Sequence, residues 1–256
     1  MPASIDNETS ARERGRRAEE VAEWYFRLNG FFLIPGFVVH PDALRQVPRT
    51  EADLLGIRLK GSFEGVWRSR GADHRHVSRP TAMADDPLLV ECGMVGTVPR
   101  HLVAMVEVKA SRCRINGPWS DRGEGDIEQS NMTRALSRVG FGNKSDICAA
   151  ADLMYSDLRY EGKDFVVQYF AVGSERDPVL AGRYPKLKQL TFDDIAIFLG
   201  GRFRGFPEKL PQDASIGLWS GFGNSFRCWF ESRFSPTTPQ QCKSAVRCYI
   251  DTGRCN

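Results

Sequence analysis

The sequence has no excess of charge of either sign and no long apolar segment. Its 35 basic residues nearly balance 32 acidic ones, which leaves a formal net charge of +3. This balance neither demands nor excludes a nucleic-acid partner. No apolar run approaches the length needed to cross a bilayer, and the polar N-terminus lacks the apolar centre of a signal peptide. We therefore expect a cytoplasmic protein that does not contact a membrane.

The cysteines do not form the pattern of a disulfide framework or of a zinc site. There are seven of them, an odd number. Four crowd the C-terminal end without the short paired spacing of zinc ligands, namely Cys228, Cys242, Cys248 and Cys255. We expect reduced thiols, with a metal knuckle at this end as the alternative. The sequence also lacks a recognisable helix-turn-helix or zinc finger for reading bases.

The chain does contain an alternation of helical and strand patterns. The spacing of apolar residues predicts four helices. Two span 12–28 and 146–158, a third begins near residue 126, and the last ends at residue 199. Short apolar runs predict strands over 31–39, 51–59, 101–110 and 165–172, with a further strand within 88–98. Helices flanking a mixed central sheet fit this order, so the predicted fold class is α/β.

Two regions fall outside this alternation. Residues 60–100 have little periodicity and several glycines and prolines, which indicates an insertion into a core of residues 1–199. Residues 200–256 lose the helical period and interleave arginines with aromatic side chains, so we predict a C-terminal extension. Such an extension either packs as a small appendage or stacks on exposed bases.

The most informative segment is Val106-Glu107-Val108-Lys109, within the predicted strand over 101–110. Because alternate side chains of a strand share a face, Glu107 and Lys109 project together. A carboxylate and an ammonium beside an apolar sheet are costly unless they have partners. Asp53 offers a second carboxylate from another predicted strand.

These side chains suit phosphodiester hydrolysis with a divalent cation. Mg²⁺ prefers oxygen ligands and is commonly bound by one or two carboxylates together with water and phosphate oxygens. Such an ion polarises a phosphoryl group and lowers the pKa of bound water. Lys109 could then orient that water or stabilise charge in the transition state.

Further positions extend the pattern in chain order. They are Gly15, Glu19 and Ala22 on the first helix, Gly30-Phe31-Phe32-Leu33-Ile34 at the first strand, Glu51-Ala52-Asp53-Leu54-Leu55 on the second, the Val-Glu-Val-Lys at 106–109, and Gln129 near the following helix. This series resembles the PD-(D/E)XK nucleases, and small resolvase-like members of that group are the most similar. The resemblance implies a restriction-endonuclease-like fold and a nuclease that depends on Mg²⁺, with Mn²⁺ as a substitute.

The resemblance also implies a role for each matched residue. Glu19, Asp53 and Glu107 would hold the metal together with the main-chain carbonyl of Val108. Lys109 would serve the attacking water, and Gln129 would support the substrate or the metal. DNA is the expected substrate rather than RNA, in restriction, repair, recombination or mobile-element defence. A homodimer and a larger complex are both compatible with this expectation.

The predicted insertion is locally basic. Residues 58–79 hold six basic side chains against two acidic ones. Within this stretch, Arg68, Arg70, Arg75 and Arg79 are candidates for binding phosphates of nucleic acid. The alternative is an ordinary flap whose charges face solvent.

Each of these assignments has a structural alternative. Glu107 and Lys109 could form a solvated surface pair, and Glu19 could pair with a neighbouring arginine of a highly charged helix. Gln129 could belong to a capping box that begins at Asp126. The whole chain could also bind nucleic acid without turnover, or act as a partner-dependent subunit whose aromatic tail docks on another chain.

Overall fold

The computed structural model describes residues 4–39, 50–62, 65–66, 81–82, 85–91, 100–120, 126–140, 142–205 and 238–254. The chain divides into two compact units. One comprises Met1–Gly30, Gly61–Val95 and Phe192–Asn256, and the other comprises Phe31–Lys60 and Gly96–Thr191. In the described ranges, no helix is long and apolar enough to span a membrane.

Strands and helices follow one another closely along the described residues. The strands are β1 (Phe32–Val39), β2 (Thr50–Arg58), β3 (Gly65–Val66), β4 (Thr81–Ala82), β5 (His101–Val108), β6 (Arg159–Glu161), β7 (Phe165–Gly173) and β8 (Lys188–Thr191). The helices are α1 (Ser4–Leu28), α2 (Pro87–Glu91), α3 (Gly117–Ser120), α4 (Asn131–Val139), α5 (Lys144–Asp157), α6 (Pro178–Arg183), α7 (Phe192–Gly205) and α8 (Pro239–Thr252). A 3₁₀ turn, Ile127–Gln129, precedes α4.

The second unit is built on a six-stranded mixed sheet. Its order is β1-β2-β5-β7-β6, and β8 also pairs with β7. The β1–β2, β2–β5 and β6–β7 pairs are antiparallel, whereas β5–β7 and β7–β8 are parallel. A mixed sheet flanked by helices confirms the predicted α/β class. The strands predicted over 101–110 and 165–172 became β5 and β7, whose near-continuous apolar sequences suit central positions.

One face of this sheet carries the main hydrophobic core. Side chains of the strands and helices meet there, including Leu55, Val103, Met105, Val167, Tyr169, Trp119, Met132, Leu136 and Met154. Ser130 begins α4 by accepting a hydrogen bond from the Thr133 N–H, and Asn143 begins α5 by accepting from Asp146. Both are the short polar side chains that satisfy the first N–H groups of a helix. Both helices contribute apolar side chains to the core, among them Met132, Leu136 and Met154.

The first unit is held together by helix contacts. Arg17 of α1 is buried and donates to the main-chain oxygens of Ile250 and Asp251 at 2.8 and 3.0 Å. The Tyr249 hydroxyl of α8 donates to Glu20 of α1 at 2.6 Å. The two Arg17 bonds satisfy carbonyls at the end of α8, which otherwise have no partner within the helix.

Several predictions from the sequence were wrong. Of the range 88–98, in which a strand was predicted, residues 88–91 belong to the helix α2, because the Asp86 carboxylate accepts from the Leu88 N–H at 2.9 Å and Pro87 suits a first helical turn. Residues 92–98 lie outside the described residues. The final helix was predicted to end at Leu199, but α7 continues to Gly205. The patterns also failed to indicate β6, β8 and α6.

The C-terminal stretch is also more regular than predicted. It contains α8, which begins with a capping box between Thr238 and Gln241 and ends at Gly253 with φ +74°. Its buried side chains recur at helical spacing, namely Cys242, Ala245, Val246, Tyr249 and Ile250. The predicted boundary at 199/200 falls inside α7, and the division into core and extension stays a prediction. Among the described cysteines, Cys113, Cys148, Cys242 and Cys248 are thiols that form no disulfide.

Candidate functional site

Asp53 and Glu107 meet where the pairing of β2 with β5 ends. The last pair of that ladder is Leu54 with Val106, so the next position on each strand carries a carboxylate. By strand alternation, Asp53 shares a face with Leu55, and Glu107 shares a face with Met105. Both carboxylates therefore lie at the border of the hydrophobic core. On the other side of β2, the register with β1 omits Gly36, whose φ is +58°.

The three side chains singled out by the sequence form one hydrogen-bonded cluster. Lys109 Nζ donates to Glu107 Oε1 at 2.5 Å and to Asp53 Oδ2 at 3.5 Å. Asp53 Oδ2 also accepts from the Val108 main-chain N–H at 2.6 Å. Beyond the end of the β2–β5 pairing, the Asp53 carboxylate therefore accepts the hydrogen bond from the Val108 N–H that a main-chain carbonyl would otherwise accept. Lys109 bridges the two carboxylates.

Burial within this cluster is uneven. The side chain of Glu107 is 3% exposed, that of Asp53 18% and that of Lys109 39%. Partial burial opposes protonation of Lys109, but hydrogen bonding and attraction to Glu107 and Asp53 outweigh it, so its pKa is raised. Lys109 is therefore an ammonium at neutral pH. The surface-pair alternative does not describe Glu107, which is buried.

The structure places Tyr169 beside this cluster, a residue that sequence reasoning missed. Tyr169 lies on β7 and is 1% exposed. Burial raises its pKa well above the usual value, and the negative charge of Glu107 raises it further. Its neighbour in the parallel register is Met105, two positions before Glu107. The apolar sequence of β7 did not single out Tyr169, because the role of this residue depends on which strand lies beside β7.

The segment after Lys109 is fixed by main-chain bonds to the end of β7. The Ser174 N–H donates to the Ser111 carbonyl at 2.6 Å, and the Cys113 N–H donates to the Glu175 carbonyl at 2.9 Å. A Cβ on Gly173 would lie 2.5 Å from the Cys113 nitrogen. Glycine at 173 therefore permits the close approach that anchors the chain beyond Lys109.

Trp119 supports the same border of the core. Its side chain is fully buried, and its indole N–H donates to the Glu51 carbonyl at 3.0 Å. A buried tryptophan that satisfies its N–H in this way fixes the position of its partner segment. The partner here is β2, two residues before Asp53.

The remaining predicted residues lie on other elements or outside the described residues. Glu19 is half-buried on α1, in the other compact unit. Gln129 is the last residue of the 3₁₀ turn, and Asp126 caps that turn by accepting from the Glu128 N–H at 3.1 Å. The candidate phosphate-binding residues Arg68, Arg70, Arg75 and Arg79 lie outside the described residues.

The donor set suits a cation more than any other ligand. Two carboxylates converge on one ammonium group, so the fold already stabilises positive charge at this point. Carboxylate oxygens are also the ligands preferred by Mg²⁺. Across the part of the chain that the structure describes, no three His, Cys, Asp or Glu side chains are grouped as metal ligands. Comparisons with protein-family models, with curated proteins and with solved structures gave no match.

Proposed function

We propose that this chain is a Mg²⁺-dependent nuclease of the PD-(D/E)XK class. The observation that carries the proposal is the cluster of Asp53, Glu107 and Lys109, in which two carboxylates from neighbouring strands meet one lysine. The element order supports a restriction-endonuclease-like fold, since a helix precedes three antiparallel strands of the main sheet and a helical crossover leads to the parallel β7. The motif and the fold pattern therefore agree.

The residues present fit a divalent cation. Asp53 and Glu107 would hold it together with the Val108 carbonyl, as the resemblance implies. When bound, Mg²⁺ would polarise the scissile phosphoryl group and lower the pKa of a bound water. Mn²⁺ has the same preference for oxygen ligands and would substitute.

Lys109 contributes as a positive charge. Its raised pKa keeps the proton on Nζ, so the side chain donates hydrogen bonds and does not accept a proton. An ammonium that is 39% exposed is accessible to a substrate phosphate while still held by Glu107. We infer that Lys109 orients the attacking water or stabilises the charge that develops on the phosphoryl oxygens.

Asp53 has both a structural role and a chemical role. It satisfies the Val108 N–H and so orients the chain that carries Glu107 and Lys109. Because an ionised carboxylate accepts at several positions, it retains capacity for a metal. This dual role makes asparagine the informative replacement, since the amide oxygen can still accept from Val108 while the charge is lost.

The substrate proposal is DNA. It rests on the resemblance and on the basic residues 68, 70, 75 and 79, whose side chains would bind backbone phosphates. Such contacts carry no sequence information by themselves, so recognition would depend on DNA structure or on a partner. A homodimer would place two active sites for cleavage of both strands.

The test is nicking of supercoiled plasmid with Mg²⁺ or Mn²⁺. We expect metal-dependent nicking by the native chain and at least a hundredfold loss in Asp53→Asn and Lys109→Ala, as about 10²–10³ is typical for one electrostatic stabiliser. Lys186→Ala is the matched control, because Lys186 forms an ion pair with Asp157 at 2.5 Å on the exposed surface. Nicking that survives both site substitutions would show that the assigned residues are wrong.

A binding module without turnover is the second candidate. The favouring observation is that Asp53, Glu107, Lys109 and the Val108 N–H bond one another, as a purely structural network would. This candidate predicts DNA binding that is insensitive to chelators and retained in Lys109→Ala. Binding measured by fluorescence anisotropy with and without EDTA separates it from the nuclease.

A further inference from the structure

The Tyr169 hydroxyl is a buried polar group whose position the fold alone does not explain. The side chain is 1% exposed, and among the described residues its oxygen has no hydrogen-bond partner at contact distance. A hydroxyl enclosed in this way destabilises a fold, because it gives up water without a replacement. Such a group in a native protein calls for a compensating role.

The strand register directs this hydroxyl toward the carboxylate cluster. In the parallel β5–β7 pair, Met105 is opposite Tyr169 and Glu107 is opposite Ala171. Tyr169, Met105 and Glu107 occupy the same face by strand alternation. Because Ala171 is short, it leaves room beside Glu107 for the longer tyrosine side chain from the same strand.

The surroundings of the Tyr169 hydroxyl favour a hydrogen bond from it to a carboxylate. The Asn116 main-chain N–H and the carboxylates of Glu107 and Asp53 are polar groups close enough to influence the pKa of the Tyr169 hydroxyl. A tyrosine hydroxyl donates one hydrogen bond and also accepts. The Asn116 N–H can only donate, so a bond from it would use the accepting side of the oxygen. The donating side is then directed to the nearby negative charge.

We propose that Tyr169 is a positioning residue whose hydroxyl donates to the Glu107 carboxylate and fixes its orientation for a divalent cation. The hydroxyl and the Lys109 ammonium would together restrict Glu107 from two directions. Tyr169 itself would not contact the metal or the substrate. The inference rests on the proposed function, because it assigns Glu107 the role of a metal ligand.

The first experiment measures Mn²⁺ affinity of the full chain by isothermal titration calorimetry. We expect Tyr169→Phe to weaken binding by about tenfold or more, the usual effect of removing a group that orients a metal ligand. The control is Tyr155→Phe, which removes a hydroxyl of the same core that accepts from the Met132 N–H at 3.2 Å. Tyr155→Phe should leave Mn²⁺ affinity unchanged.

A second experiment tests the hydroxyl–carboxylate contact without metal. A double-mutant cycle combines Tyr169→Phe with Glu107→Leu, which removes the accepting oxygens, and measures unfolding in urea with EDTA present. We expect the two substitutions to be non-additive, since each removes one side of the same contact. Additive effects would overturn the proposed contact whatever the result with Mn²⁺.

The outcomes separate this inference from the nuclease proposal. Mn²⁺ binding by the native chain that Tyr169→Phe does not weaken refutes the positioning role and leaves the nuclease proposal intact. A native chain that neither binds Mn²⁺ nor nicks DNA refutes both the nuclease and the metal-orienting role. Weaker Mn²⁺ binding in Tyr169→Phe alone, together with non-additivity in the cycle, supports the inference.

Discussion

Replacing Lys109 by alanine leaves Glu107 buried without the ammonium that holds it at 2.5 Å. Removing one partner of a fully buried ion pair costs about 3–5 kcal/mol, whereas an exposed pair contributes about 0–1 kcal/mol. The Glu107 side chain is 3% exposed and that of Lys109 39%. Solvent screening on the lysine side places the expected loss between these limits, at about 2 kcal/mol at pH 7.

The loss should depend on pH in a defined direction. Without Lys109, the buried carboxylate avoids its charge by taking up a proton in the folded state. The unfolded chain releases that proton above about pH 4.3, so folded Lys109→Ala binds more protons than its unfolded form. Its stability therefore falls as pH rises, and the deficit relative to the native chain should be smaller at pH 4.5 than at pH 7.

The assay is urea unfolding followed by circular dichroism at these two pH values, with EDTA present. Lys186→Ala serves as the control, since its ion-pair partner Asp157 is 35% exposed. It should lose less than about 1 kcal/mol, with little change between the two pH values. A Lys109→Ala deficit no larger than that of Lys186→Ala, or one that does not vary with pH, would refute the reasoning.

Two further predictions concern the surroundings of the site and the other compact unit. Gly173→Ala should cost about 1–3 kcal/mol in urea unfolding, because its Cβ would lie 2.5 Å from the Cys113 nitrogen. Gly182→Ala in α6 meets nothing within 4 Å, so it should be neutral or stabilising; equal losses in both variants would contradict this account. Burial raises the pKa of Asp86, so the folded state keeps a proton that the unfolded chain loses, and native stability falls as pH rises through that range. Asp86→Asn keeps the acceptor for the Leu88 N–H. In thermal unfolding it should be more stable than the native chain at pH 7 but not at pH 3. The same difference in stability at both pH values would contradict the assigned cause.

The elements that the sequence predicted well are those whose signal is local. The helix over 12–28, the apolar strands that became β5 and β7, and the helix that became α5 each have their own period or apolar run. The capping residues of α8 were present in the sequence, but the irregular aromatic stretch before it obscured them. Short elements such as β6 and β8 have too few residues for a period, and they form because β7 provides a partner.

The sequence by itself determined that Glu107 and Lys109 share a face, because the two-residue period of a strand is a property of the backbone. It also provided Asp53 in a second strand, but only the tertiary structure decided that β2 lies beside β5 and that their pairing ends at Leu54, next to Asp53. The same holds for Tyr169, which faces Glu107 because β7 runs parallel to β5 in one register. Register between distant strands is fixed by which alignment buries the apolar faces of the whole sheet, and no local pattern of residues contains that information.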